Sequence, residues 1–225
     1  MIQQEWLIDE TVALEEQPVS RGATRESASI AEPVNIAIRL QDIFIWDTKK
    51  WFGVAEMRLD ALVVHGCAIP GEQTSIYTPQ TFRFPGVKNN DRLPTGENGL
   101  LIFYGQAQHF LDIFITVSRN RQDSDDLATL LKEQLPSTEF QGAAATLLGL
   151  AIAAPQVATI TGALGAASVI GNVTYQALRK VTGDTVGLYR TSWLQNRDNF
   201  GIGRHPINGS HHVKDLSFWY EILQE

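Results

Sequence analysis

From Asn35 onward, apolar and polar side chains alternate with a period of two. Ile36, Ile38 and Leu40 are separated by Ala37, Arg39 and Gln41, and Ala55, Met57, Leu59, Ala61 and Val63 alternate with Glu56, Arg58 and Asp60. Each run predicts a half-buried β-strand with its charged positions in water. Thr81–Phe84, Gly99–Gly105 and Phe110–Ser118 extend the pattern, divided by the turn-forming stretch PGVKNNDRLPTGENG.

After Ser118 the period lengthens. DSDDLATLLKEQLP offers acidic capping residues, sets Leu127, Leu130, Leu131 and Leu135 on one face, and stops at Pro136, which predicts a helix. From Gly142 to Leu178 there is then no charged side chain. Thr138 with Gln141 reads as a capping box for a helix from about Glu139 to Ala153, which Pro155 ends. A second helix from about Gln156 to Lys180 is bounded by Gly183. Strand composition returns in TVGLYRTSWLQN and HHVKDLSFWYEILQE, the latter with Leu216, Phe218, Tyr220 and Ile222 on one side.

The last strands must pair with earlier ones. The expected fold is therefore mainly β, an antiparallel β-sandwich of about seven or eight strands over residues 34–225, with an inserted Ala/Gly-rich helical hairpin over 124–182. Residues 1–33 form an acidic arm and linker. Within them Glu15–Pro33 lacks large apolar side chains, whereas EWLIDETVAL suits a short strand or helix that docks on the body or on a neighbouring subunit.

In the uncharged tract, small residues recur every fourth place, at Ala145, Gly149 and Ala153, at Ala158, Gly162 and Ala166, and at Ala163, Ala167 and Gly171. Such rows let another backbone approach, so close packing is expected at Gly162. The second helix, roughly 37 Å long, could cross a bilayer core of about 30 Å and the first, roughly 22 Å, could not. Thr146, Gln156, Thr159, Thr161, Ser168 and Asn172 argue against a permanent span. Two uses remain open: a buried pair, across the sandwich or in a homo-oligomer interface, and a stored hairpin released into a membrane. In composition and length the tract is similar to the hydrophobic hairpins of pore-forming colicin-type toxins, a resemblance that implies the second use.

WDTKKWFG places Lys49 and Lys50 beside Trp51 and Phe52 on a loop between two strands. Either the rings fold back over the sheet, or they meet an anionic membrane interface together with the lysines. The strand IRLQDIFIWD ending at Asp47, and ITVSRNRQDSDD supplying Asp123, Asp125 and Asp126, resemble C2-type β-sandwich domains over roughly Pro33–Ser124 and the last two strands. The resemblance implies membrane docking through calcium-loaded loops, with Ca2+ held by Asp47, Asp123, Asp125 and Asp126 and further oxygens from Asp42 or Asp60. Asp123, Asp125 and Asp126 equally suit the cap and first turn of a helix.

Net charge adds an exclusion. Of the formal −7, seven acids against two arginines up to Pro33 account for −5, so the body is nearly neutral and offers no basic face for nucleic acid. A single cysteine, Cys67, and an acidic N-terminus without secretory grammar suit a reducing cytoplasmic setting, with peripheral membrane association when triggered. No P-loop, nucleophile elbow or paired-histidine zinc helix occurs, and His65 with Cys67 falls short of four ligands. NRDNFGIGRHP gathers Arg197, Asp198, Arg204 and His205; the guanidiniums could bind an anion or pair with Asp198 internally, and His205 with Asp198 is the first couple to inspect for catalysis. The expectation is a non-catalytic protein whose hairpin engages or inserts into a membrane, toxin-like or a cell-death effector. The alternative is a scaffold that uses the hairpin to self-associate.

Overall fold

The computed structural model describes residues 32–67, 76–121, 124–152 and 157–225, with backbone only for 148–152 and 157–161. Residues 1–31 of the N-terminal arm and linker, Asp123 and Pro155 lie outside the described residues.

Two antiparallel sheets face each other. The first contains β1 (Val34–Ile45), β4 (Asp91–Arg92), β5 (Leu100–Ala107), β8 (Gly203–His205), β9 (His211–Val213) and β10 (Leu216–Gln224). There β1 and β10 pair centrally, β4 and β5 lie along the free side of β1, and β8 and β9 along that of β10. The second runs β3 (Tyr77–Val87), β2 (Ala55–Val64), β6 (Phe110–Arg119), β7 (Thr185–Leu194). Helices α1 (Leu127–Gln134), α2 (Thr138–Ile152) and α3 (Val157–Val181) come between β6 and β7 in the chain, and α4 (Gln195–Asp198) follows β7. The end of α3 at Val181 falls within a residue of the one that Gly183 predicts, whereas the break expected at Pro155 lies outside the described residues. Two details differ. Ser137, not Thr138, caps α2, its Oγ accepting the Phe140 amide. The first amide of α1 is capped from β3 by the Thr81 hydroxyl, while Asp126 turns to Arg83.

The core between the sheets collects the inward positions that the period predicts, including Ile36, Ile38 and Leu40, Met57 and Leu59, Ile113 and Ile115, and Phe218, Tyr220 and Ile222. In β1 a bulge between Gln41 and Phe44, with Asp42 at φ 50°, inserts one residue into the alternation. Ile43 and Ile45 therefore face inward as Leu40 does.

The other face of the second sheet is also covered. Leu62, Val64, Phe110 and Phe114 pack with Leu127, Leu130 and Leu131 of α1, Phe140 and Leu147 of α2, and Ala163, Ala167 and Ile170 of α3. This overturns the reading of β2 as half-solvated. Arg58 and Asp60 are completely buried, joined by two hydrogen bonds of 2.6 and 2.8 Å. Arg58 also donates to Ser124 Oγ and the Asp125 carbonyl, and Thr81 donates to Asp60. Burial pushes the Asp60 carboxyl above its ordinary range and Arg58 pulls it back. A second pair forms along the face, where Arg190 of β7 grips Asp112 of β6 at 2.9 and 2.7 Å and Ser192 donates to the same carboxylate. Charged side chains tolerate such burial only when paired and hydrogen-bonded.

Removing one member of the buried pair leaves an uncompensated charge, so Arg58→Ala is expected to cost about 3–5 kcal/mol in urea unfolding. Replacing both, Arg58→Met with Asp60→Leu, is expected to cost clearly less. Equal losses in the single and double variants would show that the charges are not coupled.

Candidate interaction surface at the loop end of the sandwich

The loop between β1 and β2 is rooted inside the protein and ends outside it. Thr48 is 1% exposed, and both its amide and its hydroxyl donate to Asn89 of the β3–β4 turn. Lys49, at φ 59°, places its ammonium 3.1 Å from Asp47 and 2.6 Å from Asp215, and these carboxylates, Asp215 foremost, raise its pKa. The Lys49 amide holds Asp47 below the usual carboxylate range. The Lys49 carbonyl accepts from Arg119 of β6. Three elements thus hold the stem, and Lys50 closes the tip by donating to the Val54 carbonyl.

Past this clamp, Trp51 and Phe52 are 89% and 78% exposed and meet edge to face at 6.1 Å. They do not fold back over the sheet. The neighbouring Trp46 and Val54 are 47% and 43% exposed, so apolar surface continues down the loop. Lys50, Lys88, Arg121, Lys180 and Lys214 stand at the same end, and their cationic groups form no ion pair among the described residues, although the Lys88 amide donates to Asp91. Lys49 is spent internally and adds nothing to this cationic rim.

The other residues singled out in the sequence are dispersed. Asp47 serves Lys49, Asp126 serves Arg83, Asp42 serves Arg92 and Asp60 serves Arg58, while Asp125 contributes a carbonyl to Arg58. Among the described residues no three His, Cys, Asp or Glu side chains assemble as a metal-binding group. In the 195–206 loop Arg197 pairs with Asp198 at 2.8 Å, and Arg204 donates to the Ile207 and Gly209 carbonyls while lying over the Trp219 ring. His205 is bonded to the Gly201 carbonyl and stacked on Tyr220, whereas Asp198 is taken by Arg197 and the Leu194 amide. No His205–Asp198 couple forms. An aromatic group that the sequence does not announce as a cluster, Tyr189, Trp193, His205, His211, Phe218 and Tyr220, fills the core edge beside β7. Trp193 donates to the Tyr220 hydroxyl there. Its signal was the alternation of β7 itself, which puts Tyr189 and Trp193 on the face opposite Arg190.

Of the small residues, Ala163, Ala167 and Gly171 form the row that meets the sheet, and a side chain at Gly171 would touch Phe114 and Arg190. Ala166 is nearly buried, and Gly149 lies in α2 with only its backbone described. Gly162 is a correction. It is exposed, and no described residue lies within 4 Å of a side chain built on it, because α3 turns the neighbouring row to the sheet. Gly162 instead lines an open trough of about 560 Å³ between α2 and α3, with Gly142, Thr146 and Val169. No helix among the described residues is long and apolar enough to cross a membrane.

Comparison with known protein families, with curated proteins and with solved structures gave no match. Neither C2-type domains nor colicin-type hairpins therefore gain support from a relative, and two facing antiparallel sheets are what the geometry provides.

At the end opposite Trp51, His65 is stacked on Phe103, and burial lowers its pKa from 6.5 to about 4. Burial lowers His109 as well. Each folded-state pKa lies below the unfolded one, so this contribution to stability is complete above pH 6.5 and is lost as the pH falls towards 4. For His65 linkage puts the loss at about 3 kcal/mol. Denaturant midpoints measured between pH 7 and 4 are expected to fall steadily, with a shallower slope for His65→Phe. An unchanged slope in that variant would assign the acid sensitivity elsewhere.

Proposed function

We propose that the protein is a non-catalytic membrane-interface protein. The observation that carries this reading is the Trp51–Phe52 tip, two large rings held in water by a loop whose stem is fastened at Thr48, Lys49 and Arg119. A flexible loop could hide its rings against the sheet, whereas a fastened one presents them. Aromatic rings at headgroup depth flanked by unpaired lysines suit an anionic lipid surface. In this reading the sandwich resembles C2-type domains in docking by its loop end, but through aromatic and cationic side chains. Residues 124–182 act as a helical hairpin that engages the interface after docking. Its charge-free tract supports engagement, and the Arg–Asp pairs beneath it support reversibility, since they leave the vacated sheet face hydratable.

Flotation with vesicles containing phosphatidylserine tests the docking step. Binding is expected to weaken with added salt and to drop about tenfold or more in Trp51→Ala with Phe52→Ala. The thermal midpoint should stay unchanged because both rings are exposed. Absence of binding to anionic vesicles across pH 4–8 would remove the proposal.

A second reading rests on the trough beside Gly162, where missing side chains suit a second copy packing by close backbone approach. Within one chain Gly162→Leu meets no described residue at its Cβ and gains helix propensity of up to about 1 kcal/mol. The self-association reading expects an oligomer in the parent that dissociates on this substitution. A monomeric parent, or an oligomer indifferent to the added leucine side chain, counts against it.

A further inference from the structure

The free edge of the second sheet carries an inference independent of membrane binding. Strand β7 pairs with β6 from Leu194 opposite Phe110 to Gly187 opposite Val117. The Gln195 amide points back to the His109 carbonyl and the Leu194 amide away to Asp198. By alternation the main-chain N–H and C=O groups of Leu188, Arg190 and Ser192 also point away from β6, and no described residue bonds to them. Exposed edges usually carry proline, lysine or a bulge against further pairing. LYRTSWL, Leu188–Leu194, has no proline and no lysine, its ladder is regular, and its residues favour strands.

Beside this edge lies a cavity of about 260 Å³ between β7 and α3, floored by Phe114 and Gly171 and walled by Ser168, Val169 and Leu188. A strand added to β7 places every second side chain over it, the arrangement in which main-chain bonds give affinity and a pocket gives selectivity. Arg190 cannot attract an anion there, because its nitrogens are engaged by Asp112 and Ser168. The edge therefore selects an extended segment with apolar alternate positions.

We infer that this edge takes up a strand from the chain's own N-terminal segment, Glu5–Leu14. The described chain begins at Glu32, whose carbonyl accepts from Gln195 Nε2 at 2.8 Å, one residue beyond the end of β7. Glu32 thus stands beside the end of β7. EWLIDETVAL puts Trp6, Ile8, Val12 and Leu14 on one side, with Glu10 between the two apolar pairs. The tether Glu15–Ala31 reaches up to about 57 Å, against roughly 33 Å for β7, so the segment lies within reach in either direction. Tethering keeps its local concentration near millimolar, on the order that favours pairing within one chain.

Amide exchange in the full chain tests this, with Tyr189, Thr191 and Trp193, whose amides face β6, as internal controls. The Leu188, Arg190 and Ser192 amides are expected to exchange about tenfold or more slowly than in Ile8→Asp with Val12→Asp, at every protein concentration. Asn172→Trp, which fills the cavity from its α3 wall, is expected to release the same three amides. Fast exchange of these amides in the parent overturns the inference. So does protection that survives the Ile8 and Val12 substitutions, or protection that disappears on dilution, which would name a second copy as the occupant.

Discussion

The rest of the molecule depends on the burial of the second sheet on both faces, because one of those faces carries charge. A sheet with one wet side could have left Arg58, Asp60, Asp112 and Arg190 in water. Covering them with α1, α2 and α3 removes that solvent, and each carboxylate has to find a guanidinium in fork geometry to offset the loss. The two pairs fix the helices at two places: Arg58 reaches the loop that opens α1, and Arg190 reaches Ser168 and the Leu164 carbonyl of α3. Apolar packing supplies most of the attraction. The ion pairs restrict it to one placement, since sliding the helices would strip a buried charge of its partners.

The loop end follows a related logic with the opposite outcome. Its polar groups are consumed in holding the stem, Thr48 by Asn89 and Lys49 by Asp47 and Asp215, while its largest apolar groups are left outside. Exposed aromatics on a mobile loop lose conformational freedom when they bind. A fastened stem has already given up that freedom on folding, so less is lost at the moment of contact.

Much of this was legible in the chain. The period of two located the principal strands, and Gly183 marked the end of the third helix, because steric and backbone rules act over a few residues. The exposed tip was legible too, as one of two alternatives. Hidden was whatever depended on tertiary cover. A charged residue in an alternating strand reads as solvated, and nothing near Arg58 announces that three helices will close over it. The carboxylates at Asp47 and Asp126 looked convergent along the chain, yet each lies beside a cation contributed by another part of the fold or by its own loop. Gly162 and Gly171 belong to neighbouring rows of one helix, and only the rotation of α3 about its axis decides which row meets Phe114 and which meets water.

The Thr81 hydroxyl joins two events that otherwise look separate. It donates its single proton to Asp60 and accepts the Leu127 amide on a lone pair, so the buried ion pair and the first turn of α1 share one oxygen. A hydroxyl whose proton is committed in one direction presents its lone pairs in the other, which makes the two bonds mutually reinforcing. Lifting α1 orphans an amide and weakens the support of a buried carboxylate together, and rehydrating the carboxylate loosens the helix. The first turn of α1 and the buried pair on the strand beneath it are therefore coupled, each losing support when the other opens.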